Sequence, residues 1–294
     1  MASFYDAIGE NKRNSLLLIL VVFALVVAMA VSIAYVTKLG PIGPVLAVII
    51  AIAYSIGGYY YSDSVVLAIS GAKPAEKKEY PYYYNVAEGL SIAAGIPMPK
   101  LYVIEDNAAN AFATGRDPQH SAIAVTTGLL KLMNRAELEG VVAHEMSHIK
   151  NYDIRFATLA VVMVGMVSIM GSFATRYLFW GGGRDRGGKG GGNAILMIIG
   201  LALIILSPII AQLVRLALSR QREFLADATG AQITRYPPGL ASALEKIGKA
   251  GGAVKGATDA TASLYFANPL PGKLMSLFST HPAVEERVKR LKAM

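Results

Sequence analysis

The sequence predicts an α+β membrane protein, with four transmembrane helices and a mainly helical domain that carries a small β-sheet. Three observations lead there. Of 294 residues, 54% are hydrophobic and only 16% are charged, against roughly 25% charged in soluble domains. Four stretches lack charge for long enough to cross a bilayer, which takes ~20 apolar residues. Between and after them lie polar regions with short, turn-bounded β segments and clear helix start signals. Such a composition excludes intrinsic disorder. The chain has no cysteine, which excludes disulfides, cysteine-ligated metal and thiol nucleophiles. Any metal must therefore be held by histidine and carboxylate.

The chain divides at the apolar runs. Residues 1–62 form a first membrane hairpin with spans at 15–36 and 39–62. The first span is too long for a signal-peptide core, whose apolar region is ~7–15 residues. Residues 63–155 are the first polar part, and residues 156–214 a second hairpin with spans at 156–175 and 190–214. Residues 215–294 are the second polar part. If all four runs span, the N-terminus and both polar parts share one side and hold 23 of the 28 Lys and Arg residues. That bias places them in the cytoplasm, in a multi-pass protein of the cell membrane. The net charge of +8 is accordingly read as a match to the bilayer's anionic inner face, with no nucleic-acid partner. The basic, glycine-rich loop at 181–192 pulls the other way, and a second hairpin packed on the domain instead of spanning leaves the polar parts on one side all the same.

Within the first polar part, residues 76–94 read as a helix stopped by Gly95, residues 100–104 as a strand, and residues 111–114 and 122–126 as short strands around a turn. Asn134 with Glu137 three residues on is a near match to a capping box and opens a helix to about Asn151. After the fourth run, residues 215–233 continue as a helix, 249–262 form a loose linker, and 282–292 a terminal helix.

The Asn134 helix carries His144-Glu145-Met146-Ser147-His148. Residues i and i+4 share a helix face, so both imidazoles reach one point, as two bonds to zinc require, with the intervening Glu beside the open position. From 4 His and 12 Glu in the chain, chance supplies roughly 0.002 such patterns. A catalytic zinc needs a third protein ligand. The candidates are Glu223 and Asp227, i and i+4 on one predicted helix, of which one would ligate the metal and the other fix an imidazole through its second nitrogen. His148 lies seven residues before Arg155 and Glu223 eight after Arg215, about 10–12 Å from the span ends on helical rise. The site therefore belongs at the membrane surface.

The HExxH with a later ExxxD resembles the gluzincin pattern. The wider set resembles the HtpX-type membrane zinc metalloproteases, relatives of the CAAX prenyl endoprotease: NAFATG (110–115), AVTTGLL (124–130), VVAHEMSHIKNYD (141–153), SRQREFLAD (219–227) and STHP (279–282). The resemblance covers essentially the whole chain and implies a gluzincin-like zinc protease domain. It implies one Zn2+ per chain, held by His144, His148 and Glu223, with Asp227 orienting His144. It makes Glu145 the general base toward the zinc-bound water and His281 a donor to the developing oxyanion. Asn110, Ala111, Phe112 and Ala113 become the edge strand on which an extended substrate adds. The implied function is a membrane-anchored zinc endopeptidase for misfolded or damaged membrane proteins, its partners being those proteins and the lipid bilayer. A prenyl-protein endoprotease is the nearest alternative; a non-catalytic membrane scaffold or metal-binding regulator is the alternative of another class.

Overall fold

The computed structural model describes residues 40–159, 161, 220–258, 261–270 and 282–294, with isolated positions ahead of residue 40. The predicted span at 190–214, much of the span at 15–36, most of the span at 156–175, residues 215–219 and His281 lie outside them.

Helix α1 (Gly43–Tyr60) falls on the second predicted span, begins at Pro44 as a first-turn residue and runs 18 residues. That is about 27 Å of rise against a hydrocarbon core of ~30 Å. Among the described residues, no helix is long and apolar enough to cross a membrane. Val45, Leu46, Ile49, Ile50 and Ile56 on α1 are nonetheless all more than half exposed. Helix α2 (Ser62–Ile69) follows after a break at Tyr61 and turns Val66 and Leu67 into the core.

A four-stranded mixed sheet comes next, built from β1 (Lys73–Pro74), β2 (Lys100–Ile104), β3 (Ala111–Asp117) and β4 (His120–Thr126) in the order β1-β2-β4-β3. β2 and β4 are parallel, while β1 and β3 pair antiparallel to their neighbours. β3 and β4 extend the predicted strands to a tighter hairpin, with a register shift between Gly115 and Asp117. β3 lies at the sheet's edge. Helix α3 (Pro81–Ala94) starts later than the sequence suggests, because Pro81 fits the first helical turn and residues 76–79 form a turn before it. It packs on the sheet's helical side, where Tyr83 Oη donates to the Ile123 carbonyl at 3.1 Å.

Past the short α4 (Thr127–Leu132), the central helix α5 (Arg135–Lys150) opens on the expected cap. Glu137 N donates to Asn134 Oδ1 at 3.0 Å, and Asn134 N donates to Glu137 Oε2 at 2.9 Å. The same carboxylate accepts from Ser242 Oγ and Lys246 Nζ, each at 2.7 Å, so the cap is bolted to helix α7 (Pro237–Ala250). Burial alone would push the Glu137 carboxyl up, but the Lys246, Ser242 and Asn134 hydrogen bonds outweigh it and hold it below its ordinary range. Leu138, Val141, Val142, Ala143, Met146 and Ile149 of α5 are fully buried, at ~1.5–3 kcal/mol for each large aliphatic. Helix α6 (Arg220–Thr234) and α7 pack on α5 from the far end of the chain. Two glycines allow the approach: a Cβ on Gly140 would lie 2.7 Å from Leu240 Cα, and one on Gly230 3.1 Å from His144 N. Helix α8 (Val284–Leu291) closes the domain. Residues 153–159 are again helical, and Phe156, Ala157, Thr158 and Leu159, the first residues of the third predicted span, are buried. Thr158 Oγ1 accepts from Gly115 N at 3.2 Å, fastening this segment to β3.

Candidate active site

The i, i+4 spacing on α5 brings His144 and His148 together, with their Nε2 atoms 3.2 Å apart. Glu223, in the first turn of α6, faces both: Oε2 is 3.8 Å from His144 Nε2 and Oε1 is 3.6 Å from His148 Nε2. One ligand atom from each of the three residues falls within 4.8 Å of the others. The opposite ring nitrogens are engaged. His144 Nδ1 lies 3.0 Å from Asp227 Oδ1, and His148 Nδ1 lies 3.0 Å from Asp153 Oδ2. With both Nδ1 atoms engaged by carboxylates, the two Nε2 atoms face a single spot beside the Glu223 carboxylate. Two imidazole nitrogens and a carboxylate, each backed by a second partner, are a donor set that fits a zinc ion with one open position.

Burial lowers His144 to about 4, with Arg287 acting in the same direction against Asp227. Burial also works against a charge on His148, but the hydrogen bond to Asp153 and the Glu223 carboxylate override it and lift His148 to about 9. Glu145 is buried beside them. Desolvation raises its carboxyl to about 7, with Glu223 adding to the effect while His148 and the Ala113 amide oppose it.

Two residues that sequence reading missed complete the arrangement. Asp153, in the helical segment after α5, fixes His148 and lies 3.8 Å from Arg222. Arg287, on α8, is almost fully buried. Its Nε and Nη2 donate to Asp227 at 2.8 and 2.6 Å, its Nη1 lies 3.5 Å from Glu223 Oε2, and its guanidinium stacks 4.9 Å from the Phe266 ring centroid. Burial disfavours the Asp227 carboxylate, yet Arg287 more than offsets it and holds that carboxyl low. In the sequence Asp153 falls just past the predicted end of the HExxH helix, and Arg287 within the predicted terminal helix at 282–292.

The predicted edge strand is placed beside the site but is not bare. Ala111 O accepts from Phe266 N at 2.8 Å, Phe112 forms an antiparallel bridge with Tyr265, and the Asn110 side chain clamps Ala267, accepting from its N at 3.1 Å and donating to its O at 2.8 Å. The Ala113 amide faces Glu145 and holds its carboxyl down. The cavity between the histidines, Glu145, Glu223 and residues 263–266 measures about 20 Å3, room for one water.

A buried HExxH helix with a carboxylate from a second helix defines a peptidase of the metal-dependent kind. Peptidase family M48 matches residues 77–294, and the chain belongs to that family. Relatives agree over nearly the full length. The chain is 47% identical over 293 residues to a "Protease HtpX homolog" of Dictyoglomus turgidum, covering 99% of this chain and 95% of that protein. The identity is 48% over 292 residues to the homolog of Dictyoglomus thermophilum, at the same coverage. For Streptococcus gordonii it is 42% over 295 residues, covering 99% of each. Among solved structures, the crystal structure of S. mikatae Ste24p is similar at 18% identity and a TM-score of 0.49; the match takes in 83% of this chain and spans 57% of that one.

Proposed function

We propose that the chain is a membrane-anchored zinc endopeptidase whose substrates are misfolded or damaged membrane proteins, cut at the cytoplasmic face of the cell membrane. The observation that carries the zinc reading is the convergence of the two Nε2 atoms and the Glu223 carboxylate, each imidazole held from behind by Asp227 or Asp153. His144, His148 and Glu223 hold one Zn2+. Zinc bound there supplies Lewis acidity and brings the pKa of a bound water toward ~7. Glu145, poised near 7 by burial, takes a proton from the attacking water on a carboxylate oxygen and returns it to the leaving amine nitrogen. His281 donates to the developing oxyanion. Asn110, Ala111, Phe112 and Ala113 align the substrate main chain.

Residues 1–62 and 156–214 serve as the two membrane hairpins, and residues 63–155 and 215–294 fold together as one protease domain. The exposed aliphatic side chains of α1 support an anchor in lipid. The charge bias supports a cytoplasmic site. The test is cleavage of casein by detergent-purified wild type and Glu145→Gln, each with added zinc. Wild type should cleave, and Glu145→Gln should be slower by about 10²–10⁴-fold, the share of a general base, with zinc still bound at one per chain. Equal activity in both would sink the assignment of Glu145.

A further inference from the structure

The edge of β3 that the proposed function gives to the substrate is held by the chain itself. Residues 264–267 run antiparallel along it, bonded through Phe266 N to Ala111 O and through both halves of the Ala267 peptide group to Asn110. Phe266 sets its ring edge-on to His144, with centroids 5.0 Å apart, under the Arg287 guanidinium. Tyr265 crosses to the other face and meets the Phe112 ring at 5.1 Å. Ser263, Leu264, Tyr265 and Phe266 line the cavity, whose volume of about 20 Å3 is room for one water. A substrate cannot add to this edge while the segment is paired, because each strand edge has one set of hydrogen-bonding groups.

We propose that residues 264–267 are a built-in occupant of the substrate track, a self-strand that a substrate must displace. The proposal rests on the endopeptidase reading, and it defines what the track accepts: a chain in β conformation that places an aromatic or large apolar side chain in the slot that Phe266 fills beside His144. Displacement exchanges one strand's hydrogen bonds for another's, so an unfolded apolar segment is a competent competitor.

The lack of cysteine allows a reversible lock. Phe112 and Tyr265 face each other across the antiparallel bridge, the arrangement that suits a disulfide. Full-length Phe112→Cys/Tyr265→Cys with zinc should lose at least 10-fold of its β-casein cleavage when oxidised and regain it in the same sample on reduction, with zinc content unchanged. Equal rates before and after reduction overturn the self-strand. Silence of the wild type toward β-casein would instead refute the endopeptidase reading. A second measurement stands independently of turnover and of the double variant's folding. In Glu145→Gln, the Phe266 amide should resist hydrogen exchange alone and exchange at least 10-fold faster with saturating β-casein. Protection that survives saturation overturns the proposal. Cleavage positions flanked by charged residues on both sides would overturn the aromatic slot.

Discussion

Replacing Arg287 by Gln tests how the site is held together. The guanidinium makes two hydrogen bonds to Asp227 and sits 3.5 Å from Glu223, and all three groups are buried. Gln keeps some of the volume but withdraws the charge, leaving two buried carboxylates beside Glu145 with less compensation. Removing one partner of such a pair costs about 3–5 kcal/mol. At roughly 2–4 °C per kcal/mol for a domain of this size, the zinc-free protein should melt about 6–20 °C lower. Added zinc brings back positive charge and should recover part of that loss. Arg287→Lys, which retains charge but loses the two-pronged geometry, should fall between the two. Thermal unfolding in one detergent, with chelator and with excess zinc, reads all three. A zinc-free drop under about 2 °C, or Lys no better than Gln, would refute the argument that Arg287 neutralises the buried carboxylates.

Three further perturbations reach other parts of the same framework. Asp153→Ala frees the His148 ring from its 3.0 Å partner and should weaken zinc binding by about 10–100-fold in chelator competition; an unchanged affinity would remove Asp153 from the site. Gly140→Ala sets a Cβ 2.7 Å from Leu240 Cα and should destabilise by about 1–3 kcal/mol, seen as an earlier melt, whereas an unshifted melt would show that α5 and α7 can part freely. Glu137 has a folded pKa below its ordinary 4.5, so its contribution is complete above that value and disappears as pH falls through the lower folded one. Glu137→Gln should therefore be less stable than wild type at pH 7 and lose less between about pH 5 and pH 3 in acid titrations of the melt; parallel curves would contradict the sign.

What could be read in the sequence was local. The His144/His148 spacing and the Asn134/Glu137 cap are relations within one or two helical turns, and both stand in the structure at hydrogen-bond precision. Asp227 lies 3.0 Å from His144 Nδ1, a contact between two separate helices. Helix α7 escaped notice because Pro237-Pro238-Gly239 reads as a turn, although proline is well placed in a first helical turn. Arg287 could not be found by spacing, since its contact with His144 joins residues 143 apart. The occupied edge of β3 was hidden for the same reason: Asn110 and Ala267 are 157 positions apart, and the stretch before residue 264 offers only the composition of a linker.

The packing of α5 against α6 and α7, with Arg287 of α8 reaching His144, also sets a schedule. The HExxH helix leaves the ribosome with hydrophobic faces whose covers have not yet been made, and Arg287 follows His144 by 143 residues. At synthesis rates of ~5–20 residues per second, about 7–30 s separate the first histidine from the arginine that steadies it. During that interval the nascent chain has the HExxH helix without Arg287, and for the first 79 residues of it without Glu223 as well. On the endopeptidase reading, a copy truncated before residue 287 would be released without the guanidinium that pairs with Asp227.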